Sequence, residues 1–292
     1  MASSQQLKAR ISSVKNTKQI TKAMELVSAS KMRRAQEHAK RSRDYRNMAR
    51  QILARLRETT DVGKNPLYAF RITNKRLHVV VTSNRGLAGA YNSNILRRLT
   101  KELIDDKEAG IKSQAIVIGK QGAKFIVRFE DVEVVAVYTD FPENPSANDI
   151  RPILDTVIQK FKDGEADAVD VLYTDYKSSI VQEVAVERLL PAAYSDDDVA
   201  SDLIDTLGDV IFEPSPKAVL DAVTERLIEA QLNQAFLESS ASEQSMRMMA
   251  MKSATDNASD LIEDLTLAFN TARQAAITQE LAEITGGSEA IK

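Results

Sequence analysis

Residues 217–285 read KAVLDAVTERLIEAQLNQAFLESSASEQSMRMMAMKSATDNASDLIEDLTLAFNTARQAAITQELAEIT, with no glycine and no proline. Alternate steps of three and four from Leu220 land on Val223, Leu227, Ala230, Gln234, Leu237, Ala241, Gln244, Met248, Met251, Thr255, Ala258, Ile262, Leu265, Phe269, Ala272 and Ala276. All but Gln234, Gln244 and Thr255 are apolar, which sustains heptads well past the length that argues a coiled coil. A 3.5-residue repeat implies a left-handed supercoil. Ala and Met knobs point to close helix approach. Ser215-Pro216 reads as a cap with proline at the first helical position, and Gly286-Gly287 as the stop. Such a helix is about 100 Å long.

The other end of the chain mirrors it. From Ser3 to about Glu58 there is neither proline nor glycine, and Asp61, Gly63, Asn65 and Pro66 break the pattern. Apolar residues recur irregularly: Leu7, Ile11, Val14, then Ile20, Met24, Val27, then Met32, Ala35, Ala39. The stripe is expected to drift around the helix. Residues 1–57 carry 15 Lys/Arg against Glu25, Glu37 and Asp44, or +12, while the rest of the chain is −15. That basicity suits nucleic acid, an anionic membrane surface, an acidic protein partner or a solvated helix face.

Between the helices the pattern changes. Apolar bursts rich in β-branched residues fall at Leu77–Val81, Ala115–Ile118, Val132–Tyr138, Val169–Tyr173 and Val184–Leu190. Helix-like stretches separate the first four: Asn92–Glu108, Lys120–Phe129 and Ser146–Lys162. This alternation predicts a parallel α/β sheet. The link near Lys177-Ser178-Ser179 is too short for a crossover, so the last two strands form an antiparallel hairpin. The boundaries read as a first helix over 1–58, a globular α/β domain over 59–215 and a second helix over 216–292. A compact insert returns the chain to its start, so the two helices pair antiparallel.

Composition removes several chemistries. There are no cysteines, which excludes disulfides, thiol nucleophiles, zinc fingers and iron–sulfur sites. The two histidines, His38 and His78, lie in unlike segments, and no apolar run is long enough to span a bilayer. The N-terminus lacks the apolar region of a secretory signal. Its Ser-rich, basic character resembles a transit peptide but continues far beyond transit-peptide length. The loop Thr82-Ser83-Asn84-Arg85-Gly86-Leu87-Ala88-Gly89-Ala90 has glycines without G-x-G-x-x-G spacing. Gly119-Lys120-Gln121 lacks the rest of a P-loop, and Asp196-Asp197-Asp198 reads as a solvated loop. No cofactor, metal or catalytic residue is expected, and the isolated chain reads as non-catalytic.

One feature goes beyond a spacer. Leu261, Ile262, Leu265, Leu267, Ala268, Phe269, Ala272, Ala275, Ala276, Ile277 and Leu281 cover more than one helix face. A helix apolar around most of its circumference needs burial. A paired helix covers one side, so the rest calls for a sleeve of other subunits, and the far tip extends beyond its partner. A coiled-coil adaptor would share the rod without the sleeve. A nucleic-acid-binding rod would use the basic helix, against the low aromatic content and acidic remainder.

The stretch Ile20-Thr21-Lys22-Ala23-Met24-Glu25-Leu26-Val27-Ser28-Ala29-Ser30-Lys31-Met32 resembles the N-terminal helix of the gamma subunit of F-type ATP synthase. So do Ser83–Gly89, Met249–Ala258, and the tail Ile277–Glu283 followed by Gly287. Ser288 stands where the family usually has Ala, and Ala88 where relatives often have Cys. The cysteine-bearing regulatory insertion of chloroplast relatives is missing. The resemblance implies an α/β fold: a long antiparallel left-handed coiled coil with an inserted Rossmann-like domain of about five strands. It also implies the central rotor shaft of F1Fo, coupling proton-driven c-ring rotation to ATP synthesis and hydrolysis in a ring of three alpha and three beta subunits. The implied partners are alpha and beta (3:3:1 with this chain), epsilon, delta and the c-ring, with no nucleic acid. The implied place is the cytoplasmic face of a bacterial inner membrane, peripherally. Arg85, Gly86, Leu87 and Ala88 resemble the contact with an acidic beta loop, and Met24 a nearby helix contact. Arg273, Gln274, Thr278 and Glu280 resemble upper-shaft positions that touch the ring, and Glu213 a foot position facing the c-ring.

Overall fold

A computed structural model describes residues 4–59, 65–143, 145–192, 213 and 215–289. Asp61 and Gly63, expected to break the first helix, and Asp196-Asp197-Asp198 lie outside the described residues. The chain forms two compact units, Met1–Ala29 with Arg247–Lys292, and Ser30–Met246. Helix α1 runs over Ser4–Thr59 and the last helix, α5, over Pro216–Glu289. The expected stop at Gly286-Gly287 does not stop α5, which continues through both. A helical glycine costs only roughly 1 kcal/mol relative to alanine; that weakens a last turn without ending it.

In the first unit, α1 and α5 pair antiparallel. Thr21 Oγ1 and Thr255 Oγ1 lie 2.8 Å apart, both buried, and fix the register. On α5 the heptad positions Met248, Met251, Thr255, Ala258, Ile262, Leu265, Phe269 and Ala272 are all buried or half-buried, as the heptads predict, and Arg247 beside them is buried as well. Beyond Ala272 every position whose burial is described, through Thr285, is exposed, because α1 begins at Ser4 and reaches no further.

On α1 the expected drift is wrong. The seam positions are Leu7, Ile11, Val14, Lys18, Thr21, Glu25 and Ser28, an unbroken three-four repeat, with Met24 and Ala29 half-buried on its flanks. Ile20, Leu26 and Val27 are 61%, 60% and 55% exposed instead. The apolar residues mislead because the seam narrows onto small and polar side chains opposite Met251 and Thr255. Replacing Thr21 and Thr255 by Val singly and together should give a coupling energy of about 1 kcal/mol, the worth of one buried hydrogen bond. A double-mutant cycle from denaturant unfolding of the chain measures it.

The second unit holds a five-stranded sheet in the order β3-β2-β1-β4-β5. Its elements are β1 (Lys75–Val81), α2 (Tyr91–Glu108), β2 (Lys112–Ile118), α3 (Lys120–Ile126), β3 (Glu133–Tyr138), α4 (Ala147–Lys162), β4 (Ala168–Tyr176) and β5 (Gln182–Leu190). The first four strands are parallel and β5 returns antiparallel on β4. One face packs Val80, Val117 and Leu172 against Tyr91, Ile95 and Leu99 of α2 and Ile126 of α3. The other packs Val79, Ile116 and Val171 against Ile153, Val157 and Phe161 of α4, and against Leu227, Ile228 and Phe236 of α5. Residues 234–239 of α5 are all buried. In the described chain all-round burial occurs in this stretch of α5, which the heptads show as a single seam.

Candidate functional site

The four parallel strands point their carboxyl ends to one edge of the sheet, and the loop after β1 is built there. Thr82 N–H and Oγ1 both donate to the carbonyl of Ile118, at 2.8 and 2.7 Å. Ser83 Oγ donates to the Arg85 carbonyl at 2.7 Å and accepts from Asn92 Nδ2 at 2.7 Å. Asn84 Nδ2 donates to the Phe141 carbonyl at 3.2 Å. These bonds satisfy the loop's polar groups internally and leave Arg85, Gly86 and Leu87 exposed at its crest. Leu87 has φ 61°, a left-handed conformation that is unfavourable for a side chain bearing Cβ. A strained residue held by its surroundings marks a loop whose shape is imposed.

The same loop closes the place where a phosphate would sit. Helix N-termini bind anions through free N–H groups. Here Lys120 N–H donates to Asn84 Oδ1, Gln121 N–H to the Ser83 carbonyl and Gly122 N–H to Thr82 Oγ1. Gly119, at φ 96°, lets the chain pass: a Cβ there would lie 2.2 Å from the Thr82 carbonyl oxygen. Gly119→Ala should therefore cost about 2–4 kcal/mol, from backbone strain plus a clash with main chain. Denaturant unfolding of the purified chain measures this loss. A cavity of about 260 Å³ remains beside the loop, lined by Thr82, Asn84, Arg85, Phe141, Phe236 and Glu243 among others. Among the described residues no group of His, Asp or Glu is placed to hold a metal ion.

The resembling positions fall on both units. In the first, Met24 is half-buried beside the seam, next to the Lys22–Glu25 ion pair at 3.0 Å. Arg273, Gln274, Thr278 and Glu280 all lie on the exposed end of α5, where Thr278 Oγ1 donates to the Gln274 carbonyl at 2.9 Å. In the second, Arg85, Gly86 and Leu87 crest the loop and Glu213 is exposed ahead of α5. Ala88 differs from its neighbours: it is 2% exposed, packed with Tyr91 and Ile95, so it anchors the loop and presents no side chain outward. Phe212 and Pro214 lie outside the described residues. Exposed Ile20, Leu26 and Val27 were not singled out as surface. Extending the phase of Leu7, Ile11 and Val14 by threes and fours would have found them.

A protein-family model described as ATP synthase matches residues 3–291. The ATP synthase gamma chain of Moorella thermoacetica is 40% identical over 292 residues, covering all of both chains. That of Psychrobacter arcticus is 36% identical over 294 residues, again covering all of both. The chain belongs to the ATP synthase gamma-chain family. Solved structures agree on the fold. A chain from the Euglena gracilis mitochondrial ATP synthase aligns with TM-score 0.65 and 20% identity, over 99% of this chain and 94% of that one. One from the Tetrahymena thermophila central stalk and c-ring aligns with TM-score 0.61 and 24% identity, over 80% and 99%. A gamma chain is a non-catalytic subunit, peripheral to its membrane complex. Among the described residues no helix is long and apolar enough to cross a membrane.

Proposed function

We propose that this chain is the central rotor shaft of an F1Fo ATP synthase, turning inside three alpha and three beta subunits in a 3:3:1 complex. The observation that carries it is the end of α5. Ile277, Leu281 and Ile284 stand exposed there, beyond the reach of α1, on a helix end that no other part of the described chain covers. An apolar helix end of this kind fits a surrounding sleeve. Small, individually weak contacts let it turn. An asymmetric shaft in a pseudo-threefold ring gives each beta subunit a different face and so a different nucleotide affinity. The basic α1, with exposed Lys8, Arg10, Lys15, Arg33 and Arg34, complements acidic loops of the ring.

In this reading 1–58 and 216–292 form the shaft and 59–215 the globular domain. Met24 and the Arg85–Leu87 crest meet the beta subunits, and Arg273, Gln274, Thr278 and Glu280 the upper ring. Glu213 faces the c-ring, with epsilon and delta completing the complex at the cytoplasmic face of a bacterial inner membrane. Leu87→Gly separates presentation from contact. It relieves a positive φ and should leave stability unchanged or raised by up to about 1 kcal/mol. It should also weaken assembly with alpha and beta, read by titrating the chain into the ring. Loss of stability without loss of assembly would reverse the roles given to Leu87. Co-expression with alpha and beta, followed by size analysis and ATP hydrolysis, tests the function as a whole.

A further inference from the structure

Strands β1 and β4 are last paired at Val80 and Leu172, yet β4 continues to Tyr176. Thr174 lies past the end of β1, with β5 on its other side. Helix α5 takes the place of the missing strand. Thr174 N–H donates to Ser239 Oγ at 3.4 Å, and Ser242 Oγ donates to the Thr174 carbonyl at 3.1 Å. Ser239 Oγ is also 2.6 Å from the Tyr91 hydroxyl on α2. One turn on, Ser245 Oγ donates to the Ser179 carbonyl at 3.0 Å and accepts from Gln182 Nε2 at 3.2 Å. The three serines are spaced by three, share one helix face and are fully buried.

This is the crevice where the chain's connections reverse: β1 leads out to β2 on one side, and β3 returns to β4 on the other. Open α/β sheets bind ligands there. Here the protein's own helix occupies it through directed hydrogen bonds. We propose that Ser239, Ser242 and Ser245, with Tyr91, are positioning residues that fix the angle of α5 on the α/β sheet, so that torque reaching the globular unit turns α5 without slip. The proposal rests on the rotor reading.

Apolar packing is non-directional, so a helix held by it alone can roll while its area stays buried. Hydrogen bonds weaken steeply off-line, and a buried N–H or C=O left unmade is costly. Rolling α5 by one residue would bring Ala241 or Glu243 to the place of Ser242 and leave the Thr174 carbonyl without its donor. The directed bonds therefore set an angle that the surrounding leucines and alanines do not.

The test uses the chain assembled with alpha and beta, with a bead on the globular unit. Serine to alanine on a helix improves intrinsic propensity, which offsets part of the cost of the lost bonds, and circular dichroism of the variant checks that the fold is kept. In a S239A/S242A/S245A/Y91F variant, unloaded ATP hydrolysis should match the parent. The angular variance of the bead at a stalled position should rise about twofold as these bonds are lost. In the full synthase, protons pumped per ATP should fall about threefold when turning against a gradient. Y91F alone, which keeps the ring in the core, should give a smaller rise, and S253A on an exposed position of α5 none. Rotation by the parent with equal variance in the quadruple variant overturns the proposal alone. No rotation by the parent overturns the rotor reading and the proposal with it.

Discussion

Asp106→Ala should lower the stability of the chain by about 3–5 kcal/mol, the loss expected when one partner of a buried ion pair is removed. Asp106 is 1% exposed near the end of α2. His78 Nε2–H donates to its Oδ2 at 2.8 Å, Ser113 Oγ donates to the same oxygen at 3.0 Å, and Arg76 Nη1 lies 2.7 Å from Oδ1. Arg76 also lies beside Asp170, which Arg188 grips with two nitrogens, so the network joins α2 to β1, β2, β4 and β5. Alanine would leave the fully buried His78 without its carboxylate and Arg76 with Asp170 alone. Burial pushes the Asp106 carboxyl up, but the His78 hydrogen bond, the charges of His78 and Arg76, and Ser113 together hold it below its ordinary 3.8. A lowered folded pKa means this stabilisation is complete above the unfolded value and is lost as pH falls through the folded one. Wild-type stability should therefore drop below about pH 4, and the Asp106→Ala chain should lose that part of its acid sensitivity. Urea titrations at several pH values check both. Equal slopes with pH in the two proteins would contradict the account.

Met24→Lys should leave the fold intact and loosen coupling. Met24 is half-buried on the flank of the seam, outside the seam positions Thr21, Glu25 and Ser28, so a long side chain can reach solvent there without opening the helix pair. The added ammonium would grip an acidic loop of the ring with roughly 1 kcal/mol, or about a fivefold longer hold at one angle. Thermal unfolding of the chain should shift little. Hydrolysis should continue while protons pumped per ATP fall by a similar factor. Unchanged pumping per ATP would remove Met24 from the ring contact.

What the sequence made legible follows from where burial depends on apolar side chains. The strands at Leu77–Val81 and Val169–Tyr173 lie inside the observed β1 and β4 because both faces are covered and nearly every residue is β-branched or apolar. The seam of α5 was legible for the same reason. The seam of α1 was not, because Lys18, Thr21, Glu25 and Ser28 hold it while Ile20 and Val27 face outward. No apolar periodicity reports a seam made of hydroxyls and small side chains. The serine row of α5 was hidden likewise, since serine in a helix carries no signal until the strand it replaces is known. The resemblance drew attention to the loop at Arg85–Ala88, but it does not tell that Ala88 points inward. That depends on Leu87 turning through positive φ, a conformation leucine does not advertise.

As a gamma chain, this protein turns as a shaft inside a nucleotide-hydrolysing ring. The most direct test is to assemble the chain with three alpha and three beta subunits, fix the ring to a surface, attach a bead to the globular unit and add ATP. Continuous rotation in one direction with three dwells per turn is expected, following the pseudo-threefold ring. ATP hydrolysis by the assembled ring with a stationary bead would contradict it.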